Sequence, residues 1–383
     1  MKFMPYSRQC LDKKDIREVM KVLNSDWLTQ GPKIKEFEDS LCKYAGARYA
    51  VAVSSGTAAL HIACLAAGLK KGDEAITSPI TFAASANCVL YCGGRPVFSD
   101  IEPDTANINP EDIKKKITRK TKAIIPVHFA GQPCELEKIR DTAQRNNLIV
   151  IEDAAHALGA SYKGSKIGYG KYSDMTIFSF HPVKAITTGE GGSVLTNRKD
   201  LYDRLLVLRN HGITRNIKLL RKKPLPWYYE MKTLGFNYRL TDIQSALGIS
   251  QLKKIDKFLS ARKKISAQYS KAFKDIEWLR ALEDKNGRVS ARHLYIALID
   301  FKKIRKKREE VIRHLKRKGI GTQVHYIPLY RHPYYRNSFD YEPRDFPMAE
   351  KYYQRALSLP LYPGLSEEQV NYITKEVLGL YNI

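Results

Sequence analysis

From about Tyr49 to Leu195 the chain repeats one rhythm: a short apolar run, a turn, then a stretch of helix length. The apolar runs are Tyr49 to Val53, Glu74 to Thr77, Pro96 to Ser99, Ala123 to Val127, Leu148 to Ile151, Thr176 to Phe180 and Gly192 to Leu195. Short runs rich in Val and Ile without polar alternation are strands buried on both faces, so the spacing predicts a mainly parallel sheet covered by helices. Ligands of such sheets bind outside the carboxyl ends of the strands. Beyond the last run, Thr241 to Ser270 reads as one long helix with Thr241-Asp242 as its cap. The remainder predicts a smaller α/β unit: a strand over Leu294 to Ile299, a helix over Arg305 to Lys318, a second strand over Thr322 to Tyr326 and a final helix over Ser366 to Leu380. A chain of 383 residues is long enough for two domains, and the pattern divides it at 1–255 and 256–383.

Composition narrows the function classes. No stretch reaches the roughly 18 uninterrupted apolar residues of a membrane span, and Met1 to Tyr6 carries no apolar signal segment, so a cytoplasmic protein is expected. The six cysteines (Cys10, Cys42, Cys64, Cys88, Cys92, Cys134) form no Cys-x-x-Cys pair and keep no zinc spacing with histidine, which predicts free, mostly buried thiols and no metal site. The formal net charge of +25 raises nucleic acid as a partner. Its densest stretch, Lys302 to Arg308 continuing to Lys316-Arg317-Lys318, carries Ile304, Arg308, Val311, Ile312 and Leu315 at helical spacing and reads as a solvated helix face. With no zinc finger or RNA-binding aromatic signature beside it, a nucleic-acid partner is not expected. A positive field equally draws in a small anionic substrate.

Lys184 and four further features then fall at or just after predicted strand ends. Lys184 follows the strand Thr176-Ile177-Phe178 and the turn Ser179-Phe180-His181-Pro182-Val183, and precedes Thr188-Gly189-Glu190-Gly191-Gly192. Desolvation and neighbouring cations lower a lysine's proton affinity, and a neutral amine there attacks aldehydes, of which pyridoxal phosphate (PLP) is the commonest that enzymes hold this way. Taken alone, Lys184 reads equally as one more surface cation. Ser55-Gly56-Thr57 opens a helix after a strand and offers N–H groups to an anion at Gly56 and Thr57. Asp153 ends a buried strand, where it either keeps a pyridine nitrogen protonated or caps a helix. Ser179 offers a hydroxyl to a phosphate, and Phe82, after the strand at 74–77, either stacks on a ring or joins the core.

The order of the motifs is more specific than any one of them. Ser-Ser-Gly-Thr-Ala-Ala-Leu, Glu-Asp-Ala-Ala-His-Ala-Leu-Gly-Ala, Ser-Phe-His-Pro-Val-Lys with Thr-Gly-Glu-Gly-Gly, Arg209-Asn210-His211-Gly212 and Gly235-Phe236-Asn237-Tyr238-Arg239-Leu240-Thr241-Asp242 occur in sequence. In this the chain resembles, end to end, the DegT family of PLP-dependent nucleotide-sugar aminotransferases. The resemblance implies the type I PLP fold, like aspartate aminotransferase, with a large mainly parallel mixed-sheet domain and a smaller C-terminal α/β domain. It implies a homodimer with shared active sites, PLP as cofactor and Lys184 as the Schiff-base lysine. It further implies Asp153 on the pyridine nitrogen, Ser179, Gly56 and Thr57 on the phosphate, and Asn237 reaching the other subunit's cofactor. His156 stands where many members carry glutamine near the ring hydroxyl. At Tyr6, Asp26, Trp27, Leu28, Thr29, Gln323, His325 and Tyr326 the chain is similar to the branch of the family that aminates C4 of a UDP-linked 4-keto-6-deoxy-N-acetyl-hexosamine for pseudaminic acid synthesis, with L-glutamate as donor. Those eight residues are the expected substrate contacts. Amination of another 4-keto sugar nucleotide, of the perosamine, bacillosamine or 4-amino-4-deoxyarabinose type, and a non-catalytic nucleic-acid-binding regulator on the same fold are the alternatives.

Overall fold

The protein is described from a computed structural model covering residues 3–222 and 225–381. Seven strands form the large sheet: β1 (Tyr49–Val53), β2 (Glu74–Thr77), β3 (Arg95–Phe98), β4 (Thr121–Ile125), β5 (Ile149–Asp153), β6 (Met175–Ser179) and β7 (Gly192–Thr196). Each lies on one of the seven predicted runs, shifted by at most two residues. Their order across the sheet is β1-β7-β6-β5-β4-β2-β3. The β3-β2-β4-β5-β6 pairs are parallel and β7 runs antiparallel to both neighbours, so the sheet is mixed. One apolar cluster, with Phe37, Leu41, Ile139, Val150 and Phe178, and a second, with Val51, Leu60, Ile62, Ile151 and Val194, cover the sheet. Val150 and Ile151, and likewise Phe178 and Ile177, fall in different clusters because successive strand residues point to opposite faces. That double burial is why the runs read as continuous apolar sequence.

The predicted helix over Thr241–Ser270 is two helices, Asp242–Leu252 and Ile255–Ala272. Thr241 does cap the first, through a capping box with Gln244. The break falls where the buried carboxylate of Asp15 gathers Ser250, Gln251 and the Lys254 amine (2.7, 2.8 and 2.6 Å), a tertiary demand invisible to local periodicity. In the second unit β8 (Leu279–Ala281), β9 (Tyr295–Ile299) and β10 (Ala356–Leu359) form an antiparallel sheet. Thr322 to Tyr326 is not a strand. It makes a single bridge, Gln323 to Ser358, and the neighbouring edge is taken by the N-terminal segment, Met4 pairing with Ile320. The basic stretch begins with a turn in which Ile304 is buried, and its helix spans Arg308–Arg317, with Val311 and Leu315 on the buried stripe. All six cysteines are free thiols, Cys64, Cys88 and Cys134 being buried. Among the described residues no helix is long and apolar enough to cross a membrane.

Candidate active site

The carboxyl ends of β5 and β6 bring the first groups together. Asp153 is buried at the last position of β5. One of its oxygens accepts from Ser85 Oγ at 2.6 Å and the other from the Ala155 N–H at 3.1 Å. Ser85 in turn shares a hydrogen bond of 2.7 Å with Thr81 Oγ1. No helix begins after Asp153, so the capping role left open by the sequence does not apply. Its neighbour Glu152 faces the other side of the strand, in a buried bond of 2.6 Å with His128 Nε2. The pleat therefore separates a structural carboxylate from one facing the site.

Ser179 closes β6 opposite the helix Gly56–Ala66, whose N-cap is Ser55. The approach is close: a Cβ on Gly56 would stand 2.9 Å from Ser179 Cβ, and one on Gly192 would stand 2.5 Å from the Ser55 carbonyl oxygen. Glycine at both positions lets the positive end of the helix and the Ser179 hydroxyl converge, the arrangement that binds a phosphate. Lys184 projects from the loop that follows, which is pinned by Lys184 N–H to His181 O (2.9 Å) and Thr188 N–H to Phe180 O (3.0 Å). Burial lowers the proton affinity of its amine to about 8, opposed by the Asp153 carboxylate. The neighbouring cations expected to add to this do not; desolvation alone lowers the value, and the nearby Asp153 charge acts the other way.

A wall of aromatic and imidazole rings faces this corner. Tyr326 Oη lies 3.2 Å from His156 Nε2, and His156 packs against His293 with ring centroids 4.2 Å apart. Phe82 is 61% exposed, which rules out a core role, and lies 6.3 Å from the Tyr326 ring centroid. Tyr6 packs against His325 with the ring centroids 5.1 Å apart and the planes tilted by 58°, carried there by the bond from Leu361 N–H to Tyr6 O. His325 Nδ1 bonds Ser358 Oγ at 2.7 Å, and burial lowers its pKa to about 4, so it is a neutral imidazole at pH 7. Gln323 is exposed, its side-chain oxygen taken by the Val324 N–H.

The other expected residues lie apart. Asp26, Trp27, Leu28 and Thr29 are exposed, and their segment is tied to Thr241-Asp242: Thr29 bridges Thr241, and Asp242 holds the Gly31 and Lys33 N–H groups at 2.7 and 2.8 Å. Asn237 is exposed on the same side, bridged to Asn210, and no described hydrogen bond joins this group to the Lys184 wall. Ser85, Thr81 and His293 belong to the site and carried no signal in the sequence reading. Ser85 sits three residues after Phe82 in a segment that placed only the phenylalanine; His293 precedes an apolar strand and reads there as core.

Residues 9–378 match the pattern of the DegT/DnrJ/EryC1/StrS aminotransferase family. The chain belongs to this family. It is 43% identical to the spore coat polysaccharide biosynthesis protein SpsC of Bacillus subtilis, covering 98% of this chain and 96% of that one. It is 39% identical to a UDP-4-amino-4,6-dideoxy-N-acetyl-β-L-altrosamine transaminase of Campylobacter jejuni, covering 98% and 96%. Among solved structures, Helicobacter pylori PseC, an aminotransferase of pseudaminic acid biosynthesis, superposes with a TM-score of 0.92 at 36% identity over the full length of both chains. A sugar aminotransferase of Streptococcus pneumoniae, 31–32% identical, is known in forms holding PLP and its aminated counterpart. This DegT-family chain is a PLP-dependent aminotransferase of the type I fold.

The residues present fit that cofactor. An amine of lowered proton affinity, a buried carboxylate, a helix N-terminus beside a serine hydroxyl and a buried, unpartnered imidazole nitrogen on His156 would meet its aldehyde, pyridine nitrogen, phosphate and ring hydroxyl. When bound, PLP supplies the aldehyde that holds the amino group and a pyridinium ring that takes up the electron pair released beside it.

Proposed function

We propose that this DegT-family aminotransferase moves the amino group of L-glutamate to C4 of a UDP-linked 4-keto-6-deoxy-N-acetyl-hexosamine, giving UDP-4-amino-4,6-dideoxy-N-acetyl-β-L-altrosamine. The observation that carries the reading is the placement of Tyr6, His325 and Tyr326 against the Lys184 corner by the pairing of Met4 with Ile320. Those are positions at which the chain is similar to the altrosamine transaminases. Lys184 removes the proton from the α-carbon of the donor and delivers one to C4 of the acceptor from the same face. The Asp153 carboxylate, held by Ser85 and Ala155, keeps the pyridine nitrogen protonated. Gly56, Thr57 and Ser179 anchor the phosphate, and Phe82 packs on the ring. Gln323 contacts the sugar nucleotide.

The enzyme works as a cytoplasmic homodimer of two-domain chains, with the division at 255/256. Support comes from residues 213–222 and 225–235, where Ile217, Trp227, Met231 and Leu234 are all at least 61% exposed, close in sequence to Asn237. In that dimer Asn237 and Asp26 to Thr29 complete the partner's site. A second reading, amination of a different 4-keto-6-deoxy sugar nucleotide, has the 43% identity with SpsC in its favour. The test is product analysis after incubating the PLP-loaded enzyme and L-glutamate with a panel of UDP- and dTDP-linked 4-keto sugars. Preferred turnover of the UDP-linked N-acetyl-hexosamine is expected, and preference for another member of the panel overturns the assignment.

A further inference from the structure

His293 takes no part in the reading above, yet it is buried at 4% exposure and in face contact with His156. Its backbone is held from two sides. The His293 N–H donates to Ala130 O at 2.9 Å, and its carbonyl accepts from the buried Arg262 guanidinium at 3.2 Å. Gly131, at φ +96°, makes this approach possible: a Cβ there would lie 2.9 Å from the His156 carbonyl oxygen and 3.0 Å from the His293 nitrogen. Three backbone segments thus meet at one glycine, and His156 and His293 are clamped together.

The polar edges of the pair are unequal. His156 Nε2 is engaged by the Tyr326 hydroxyl, whereas Nδ1 of both rings is buried without a partner. A buried polar atom left unpaired is costly, so the open Nδ1 of His156 beside the catalytic lysine calls for an explanation. Burial keeps both imidazoles well below their usual pKa, reinforced by Lys184 and His325 and, for His293, by Arg262; Tyr326 is held protonated by burial and by the Asp153 carboxylate. A neutral imidazole carries one N–H. When the Tyr326 hydroxyl donates to Nε2, that N–H is on Nδ1.

We propose that His293 is a positioning residue for the cofactor: its ring, lying against the face of His156, holds that imidazole in the plane at which Nδ1–H donates to the ring hydroxyl oxygen of bound PLP, with Tyr326 setting the tautomer. Side-chain χ2 of histidine is broad and roughly two-fold, so one hydrogen bond through Tyr326 does not fix the ring. A flat neighbour at 4.2 Å and 35° does. The role is independent of which sugar is aminated.

The test reads the cofactor rather than turnover. The visible band of the PLP-loaded enzyme is titrated against pH, and PLP affinity is measured by adding it back to the apo protein. A hydrogen bond to the ring oxygen favours its ionised form, so losing the bond raises the midpoint, by about one pH unit for His156→Leu. His293→Leu and His293→Asn should raise it in the same direction by roughly half a unit or more and weaken PLP binding several-fold. His293→Phe, which keeps a flat ring, should restore most of the effect, and His293→Leu should add nothing in a His156→Leu background. Either folded variant suffices for the test. An unmoved midpoint, or a His293 shift that persists undiminished without His156, overturns the assignment and leaves His293 a core residue.

Discussion

The titration of Lys184 is the sharpest quantity the site offers. Its proton affinity is lowered from 10.5 to about 8, which at pH 7 leaves about one amine in ten neutral, against about one in three thousand for an ordinary lysine. That is a gain of roughly 300-fold in nucleophile. The assay is the rate at which apo protein captures PLP at Lys184, trapped by borohydride and followed on the peptide that carries the lysine, between pH 6 and 11. A midpoint near 8 is expected. Asp153→Asn removes the one charge that favours the ammonium, so its midpoint should move lower still. The same shift has a stability consequence. The folded value lies below the unfolded one, so the unfolded chain binds the extra proton and Lys184 destabilises the fold. The penalty is complete below about pH 8 and disappears as the pH rises toward 10.5. Its upper bound is roughly 3 kcal/mol, reduced by solvent screening because the residue is only half-buried. Lys184→Met apo protein should therefore resist denaturant better than the parent at pH 7, with the difference closing at high pH. A capture midpoint at 10 or above, or a Lys184→Met variant no more stable at pH 7, would refute the reasoning.

Two further outcomes follow from the phosphate cradle and from the segment near Asn237. Gly56→Ala places a methyl 2.9 Å from Ser179 Cβ, an overpacking that costs about 1–3 kcal/mol and displaces the hydroxyl; PLP affinity of the apo protein should fall well before the secondary structure changes by circular dichroism. Asp242→Ala removes the acceptor of the Gly31 and Lys33 N–H groups, costing about 1–3 kcal/mol, and should raise KM for the sugar nucleotide while PLP affinity stays unchanged; an unchanged KM would detach the 26–29 segment from substrate binding.

Much of this was legible in one dimension. Burial on both faces makes a strand apolar throughout, so all seven runs of the large sheet could be read. Ser55, Gly56, Asp153, Ser179 and Lys184 stood at strand ends or in the turns after them, where a doubly covered sheet presents its ligands. Thr241 announced its helix by a local capping box, whose partners are three residues apart. The fold class depends on such short-range patterns, and the sequence alone determined it.

What required the folded chain depends on contacts between distant segments. The helix break at Lys253-Lys254 coincides with Asp15, more than 230 residues away. The segment 322–326 meets the sheet only through the Gln323–Ser358 bridge, while Ile320 just before it pairs with Met4 of the N-terminal segment. Tyr6 joined His325 across more than 300 residues, and Ser85 reached Asp153 from the first turn of the helix Ala84–Tyr91. His293 sits in an apolar neighbourhood with nothing to distinguish it from core until Gly131 brings it against His156. Local sequence determined which groups stand at strand ends and caps, because those features are written in adjacent residues. The tertiary structure decided how those groups are held and ionised, because burial and partner distance belong to the packed chain.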